Sequence, residues 1–200
     1  MTTFAFSPSA AFDALPTTSS EGDGVVVQDR DGLGLATVLL RRGQSAAFTQ
    51  RVRERFGIEL ESGARRSASG GTAFLAIGPG AWLATSEGGV NVFAAGLAEA
   101  VGESASVSDQ SDGYAVLRVS GHGVREALCK LAPIDLHPRA FKVNDVAVTV
   151  AAHIGTTWWR LEDAGNGSAV FELAVYRSLA GSVWGALSAS AAQFGYRRHQ

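Results

Sequence analysis

Sulfur is nearly absent from this chain: one cysteine, Cys129, and one methionine, Met1, occur in 200 residues. A lone thiol forms no internal disulfide and cannot build a cysteine-based zinc site, so a reducing compartment is expected. Basic charge is not in excess either. The formal net charge is -2, whereas neutralising a phosphate backbone needs a basic surface, which excludes nucleic acid as the main partner. No apolar run is long enough to cross a bilayer. No lysine or arginine precedes Arg30, and residues 1–24 contain no apolar run, so neither a secretory signal nor an arginine-rich transit peptide is expected. These absences together point to a cytoplasmic protein with no membrane segment.

What remains is ordinary globular composition, with 46% hydrophobic residues, enough to bury a core without covalent staples. Residues 1–24 are rich in Ser, Thr, Ala, Gly and Pro with little periodicity and read as an N-terminal arm; residues 25–200 read as the folded domain. Residues 35–42 suit a strand. Phe48, Val52 and Phe56 recur every four residues with arginines between them, which predicts an amphipathic helix over 44–56. Two short strands, 72–77 and 81–85, flank a Gly78-Pro79-Gly80 turn. Val90, Phe93, Ala94, Leu97 and Val101 share a helical face that Gly102 ends, and 105–109 is a further strand.

A similar order then begins again. Residues 114–119 read as a strand, and Val124, Ala127, Leu128 and Leu131 mark a helix stopped by Pro133. Residues 146–154 and 156–162 form a hairpin around Gly155, and 168–176 alternate with Phe171, Leu173 and Val175 on one side. Ser178 is placed to cap a last helix carrying Leu179, Val183, Leu187 and Phe194, closed by Gly195. The expectation is an α+β fold of two tandem β-α-β-β-like halves, about 33–109 and 114–195.

Each motif that resembles a reactive site reads better as a turn. Gly78-Pro79-Gly80 is followed by a strand and has no nearby lysine, unlike a phosphate loop. Ser120-Gly121-His122-Gly123 has two glycines of a dinucleotide fingerprint, but Glu126 stands where the third should be. Ala84-Thr85-Ser86-Glu87-Gly88 resembles a nucleophile elbow without a flanking pattern to single out His122, His137 or His153 as the base. Asp109, Ser111 and Asp112 before Gly113 miss the calcium-loop spacing, and Asp135 with His137 has no further ligand at metal spacing. No catalytic, cofactor or metal residue is therefore assigned.

The candidates for contact with another chain are different in kind. Trp158 and Trp159 are adjacent on a strand, so their indoles face opposite sides of the sheet; one can be core, leaving the other for a partner beside Arg160. Arg51 and Arg55 stand out in the basic stretch that also holds Arg41, Arg42, Arg53, Arg65 and Arg66.

Val107-Ser108-Asp109-Gln110-Ser111-Asp112-Gly113, continuing through Val116-Leu117-Arg118-Val119-Ser120-Gly121, resembles the sarcosine oxidase gamma-subunit family. The likeness runs on through Leu131-Ala132-Pro133-Ile134-Asp135-Leu136-His137-Pro138-Arg139-Ala140-Phe141, His153-Ile154, Tyr176-Arg177-Ser178-Leu179-Ala180 and Trp184 to Phe194-Gly195; Gly78-Pro79 with Trp82-Leu83 also fits. The resemblance implies a subunit of a heterotetramer that oxidatively demethylates sarcosine to glycine, with hydrogen peroxide and methylene-tetrahydrofolate or formaldehyde as products. It implies FAD, FMN, NAD, zinc and tetrahydrofolate on the alpha, beta and delta subunits and no cofactor in this chain, with alpha the most direct neighbour. It also implies a fold similar to the folate-binding domain of the glycine cleavage aminomethyltransferase. Where that domain would handle folate, this sequence reads Thr156-Thr157-Trp158-Trp159-Arg160. A free-standing folate-dependent one-carbon enzyme, or the same subunit role in a complex oxidising another N-methyl amino acid, are the alternatives.

Overall fold

A computed structural model describes residues 10–13, 22–90 and 92–199. The elements in chain order are β1 (Val25–Asp29), β2 (Gly34–Leu40), α1 (Ser45–Phe56), β3 (Arg66–Ser69), β4 (Thr72–Gly78), β5 (Ala81–Ser86), α2 (Phe93–Val101) and β6 (Ala105–Asp109). They continue with β7 (Tyr114–Ser120), α3 (Val124–Cys129), β8 (Val146–Ala151), β9 (Ile154–Leu161), β10 (Val170–Tyr176), α4 (Ala180–Ala191) and β11 (Tyr196–His199). Apart from β1, this is one β-α-β-β-β-α-β unit written twice.

The sheets repeat as well. The first has the order β3-β4-β5-β2-β6 and the second β8-β9-β10-β7-β1-β11. Strand for strand these correspond, except that β1 is inserted between β7 and β11, antiparallel to the former and parallel to the latter. The expected α+β duplication is thus present, with β3, β11 and the inserted β1 added to it.

Period-two alternation builds four layers, helix, sheet, sheet, helix. Ala36, Val38, Phe74 and Ala84 point to one side of the first sheet and meet Phe48 and Val52 of α1 and Leu97 and Val101 of α2. Leu117, Val119, Trp158, Phe171 and Leu173 point from the second sheet towards Leu128 of α3 and Leu187 of α4. The opposite faces of both sheets close on each other through Leu35, Leu75, Leu83, Val116, Val146, Trp159 and Ala174. Burial of each large side chain here is worth about 1.5–3 kcal/mol.

Helix α1 ends where Gly57 turns to φ 65° and its N–H returns to the Arg53 carbonyl, with Arg53 and Arg55 complementing the last turn. Two boundaries differ from the sequence reading. The β8–β9 turn is made by Ala152 and His153, at φ 48° and 70°, while Gly155 lies inside β9 opposite Val150; cross-strand pairing, rather than the glycine, sets the register. Ser178 caps nothing, because a short 3-10 turn over Arg177–Leu179 precedes α4, which starts after Leu179 without a side-chain cap. Most of the proposed arm, residues 1–9 and 14–21, lies outside the described residues. Within its described part, Phe12 is buried in the core of the second half, and the Arg198 guanidinium donates to the Phe12 carbonyl at 2.8 Å.

Candidate functional site

Polar chemistry gathers along the seam between the sheets. Strand β10 sends Phe171, Leu173 and Val175 to the helical side, which leaves Glu172 facing the other sheet. The register places Glu172 opposite Arg118 of β7 and Trp159 of β9. Its carboxylate accepts from Arg118 Nε at 2.9 Å and from Trp159 Nε1 at 2.8 Å. Arg30, just past β1, donates to the same carboxylate at 2.9 Å and reaches Glu87 of the first half at 2.5 Å. Desolvation opposes the charge on Arg30, but the hydrogen bond to Glu87 and the field of Glu172 outweigh it and raise its pKa. Burial instead lowers the pKa of nearby Arg66, despite Glu172 and Glu87. Arg66 donates to Asn144 Oδ1 at 3.1 Å, and Arg65 pairs with Asp145 beside it. Both carboxylate oxygens of Glu172 are thus engaged, by Arg118 and Trp159 of its own sheet and by Arg30, which carries the link across to Glu87 of the first half; this suits a structural clamp rather than proton transfer.

A second feature is a cleft of about 1080 Å³ at one end of the second sheet, lined by the Ser120-Gly121-His122 turn, Arg125 of α3, the Pro138 and Phe141–Val143 loop, Arg160 and the Asp163–Ala169 loop, with Arg65 and Arg197 at its sides. Gly121 has φ 112°, and a Cβ there would come within 2.3 Å of the Gly24 carbonyl oxygen. A Cβ on Gly123 would meet the Phe194 ring at 2.9 Å. These glycines are required by the chain's own packing, which explains the motif without a nucleotide. Among the described residues, no three His, Cys, Asp or Glu side chains converge as a metal site would need.

The family model for the sarcosine oxidase gamma subunit family matches residues 42–193. The chain belongs to the sarcosine oxidase gamma subunit family. Among curated proteins, sarcosine oxidase subunit gamma of Arthrobacter sp. is 38% identical over 104 residues, 52% of this chain and 51% of that protein. Subunit gamma of Corynebacterium sp. (strain P-1) is 39% identical over 105 residues, again 52% and 51%. The matched segment spans about half the length of these curated relatives. The fold is similar, with a TM-score of 0.79 and 23% identity, to a chain of the heterotetrameric sarcosine oxidase from Corynebacterium sp. U-96 in complex with pyrrole 2-carboxylate, covering 94% of this chain and 96% of that one. It is also similar to the glycine cleavage system aminomethyltransferase T from Bartonella henselae, at TM-score 0.61 and 12% identity over 88% of this chain and 48% of that one. Both likenesses are of fold.

In this gamma-family chain the expected contact residues separate into two groups. Trp158 and Trp159 do face opposite sides of β9, yet neither indole is open: Trp158 is 0% exposed under the helices and Trp159 is 2% exposed between the sheets. The expectation of one exposed tryptophan is corrected by the first sheet, whose Leu35, Leu75 and Leu83 cover the face assumed to be free. Arg160 is buried too, donating to the Leu161 and Val170 carbonyls and to Asp163. Arg51 and Arg55 are exposed on α1, where Arg55 lies over the Phe56 ring at 5.5 Å.

The motifs read as turns take local roles. Asp109 Oδ1 accepts from the Ser111 N–H at 2.9 Å and from its hydroxyl at 2.7 Å, an Asx-type turn. Asp135 accepts from the His137 N–H at 2.9 Å, and Ser86 donates to the Gly88 carbonyl at 3.0 Å. The Glu172 clamp and the cleft were not anticipated. The one available signal for the clamp was a carboxylate inside the strongly apolar run Val170–Tyr176.

Proposed function

We propose that this chain is the gamma subunit of a heterotetrameric sarcosine oxidase and serves it as a structural, non-catalytic subunit. The complex converts sarcosine to glycine, releasing hydrogen peroxide with methylene-tetrahydrofolate or formaldehyde. FAD, FMN, NAD and folate sit on its alpha and beta subunits and zinc on delta, with alpha in direct contact with this chain, in the cytoplasm. The observation that carries the proposal is the family match across residues 42–193. The seam chemistry agrees with it, because the most buried carboxylate between the sheets is spent on binding two arginines and an indole. Docking falls to exposed surface, for which Arg51 and Arg55 on α1 are the candidates, and not to the tryptophan pair.

Co-expression with the other three subunits tests this. Affinity capture of this chain is expected to recover a flavin-containing complex that consumes oxygen on addition of sarcosine. Recovery of an equally active, fully flavinated complex in the absence of this chain would remove the assembly role.

A further inference from the structure

The cleft at the end of the second sheet brings five cationic side chains, Arg65, Arg125, Lys142, Arg160 and Arg197, against two carboxylates, Asp23 and Asp163. Three of these cations are already paired: Arg160 with Asp163, Arg197 with Asp23 at 3.3 Å, and Arg65 with Glu61 and Asp145. Among the described residues, no carboxylate forms an ion pair with Arg125 or Lys142. Arg125 and Lys142 are therefore the two cations of the cleft that face it without an ion-paired carboxylate among the described residues.

Arg125 is also held against a like charge. Its guanidinium carbon lies 5.2 Å from the centre of the Phe171 ring, and that of Arg160 lies 5.3 Å from the same ring. Desolvation first, and then the field of Arg160, push the Arg125 pKa below its ordinary value. The protein supplies Arg125 with one main-chain acceptor, the Leu136 carbonyl. The Arg160 side chain is 4% exposed, and its Nε is sealed from solvent without an acceptor. Two guanidiniums stacked on one ring and served by one half-exposed carboxylate are an arrangement that an added anion relieves.

We propose that this cleft is an oxyanion site, in which Arg125 and Lys142 receive the carboxylate or phosphate groups of a ligand carrying at least two negative charges. Arg125 offers planar N–H donors suited to a two-point contact with such a group, and Lys142 at the rim supplies a mobile second charge. Arg160 strengthens the field from beneath. The volume, about 1080 Å³, admits more than a bare anion, so the charged groups belong to a larger body, either a free small polyanion or acidic side chains presented by a partner subunit.

The first arm of the test titrates the full chain with citrate and with inorganic pyrophosphate at constant ionic strength, by calorimetry. Saturable binding that weakens about tenfold or more in Arg125→Gln, and measurably in the exposed-site variant Lys142→Gln, assigns the site to a free polyanion. Arg125→Lys keeps the charge and is expected to recover part of the affinity. The second arm measures how added salt reduces co-purification of the four-subunit complex. If the chain alone binds neither probe, a loss of co-purification in Arg125→Gln or Lys142→Gln with a flatter salt dependence assigns the site to a partner's carboxylates. Only this arm rests on the subunit reading, and wild-type co-purification tests that reading separately. Lack of binding to either probe, together with association that ignores both substitutions or does not occur, overturns the proposal.

Discussion

The buried polar side chains of the first half, Ser67 and Ser104, carry no charge, whereas Asp29, Arg160, Glu172 and Arg198 are buried in the second. The two sheets share a strand order, so topology does not account for the contrast. The inserted β1 accounts for Asp29 and Arg198 and for one of the partners of Glu172, while Arg160 pairs with Asp163 beyond β9. Strand β1 brings Asp29 against Arg198 of β11 and, at its end, Arg30 against Glu172. A duplicated scaffold has remained apolar where its strands close directly and has become charged where an extra strand and a second sheet had to be fixed in register. Substitutions in both halves probe this division.

The largest effect is expected at Asp29. Its carboxylate receives Arg198 Nε at 2.9 Å and Nη2 at 2.5 Å with both side chains fully buried. Asp29→Asn removes the fully buried charge that two guanidinium nitrogens of Arg198 contact and should cost about 3–5 kcal/mol in urea unfolding. Asp29→Leu combined with Arg198→Met should restore most of that loss; if it does not, the pair is more than a fastening for β1. Glu172→Gln comes next, at about 2–4 kcal/mol, because it strips Arg30 and Arg118 of their shared carboxylate. It should also separate unfolding into two steps, with tryptophan fluorescence in a Trp82→Phe background reporting the second half and far-ultraviolet circular dichroism both, since Trp82 is the tryptophan packed on the first-half core.

A smaller effect depends on pH. Tyr114 stacks on Tyr176 with ring centres 4.8 Å apart, and burial first, then the hydrogen bond to Tyr176, push its pKa up to about 12 from 10.0. The folded state keeps a proton that the unfolded chain has already lost, so this stabilisation is whole below pH 10.0 and disappears as pH rises towards about 12. In Tyr114→Phe that part of the alkaline loss should vanish from a series of thermal scans. The smallest effects are expected at Arg51→Ala and Arg55→Ala, within about 0.5 kcal/mol, since both side chains are exposed on α1. A decrease in complex yield without a change in melting temperature would mark them as contact residues.

Much of this architecture can be read in the sequence because period and turn chemistry are local. Phe48 and Val52 declare α1, Gly78-Pro79-Gly80 declares a hairpin, and the two halves show their shared order. Three strands escape that reading for physical reasons. Arg66–Ser69 and Tyr196–His199 are four residues each and carry arginines, so alternation has no length in which to show. Val25–Asp29 adjoins an unpatterned segment and takes its meaning from strands more than eighty residues away. The tryptophan pair marks a different limit: alternation gives opposite faces for Trp158 and Trp159, but whether a face meets water is decided by the other sheet. Arg125, Lys142 and Arg160 come from separate elements, so no spacing rule could have joined them.

The insertion of β1 also dictates an order of events during synthesis. Every strand of the first sheet lies between Gly34 and Asp109, so that sheet can close as soon as this contiguous stretch has left the ribosome. The second cannot, because Val25 must await Tyr196 and Asp29 must await Arg198, a separation of 169 residues for the latter pair. Closing so long a loop is slow compared with local pairing, and throughout that wait the apolar edge of β1 stays open to other chains. A ribosome stalled before residue 196 would therefore release a chain with one finished sheet and one unfastened seam, the species that a chaperone or a partner subunit would meet first.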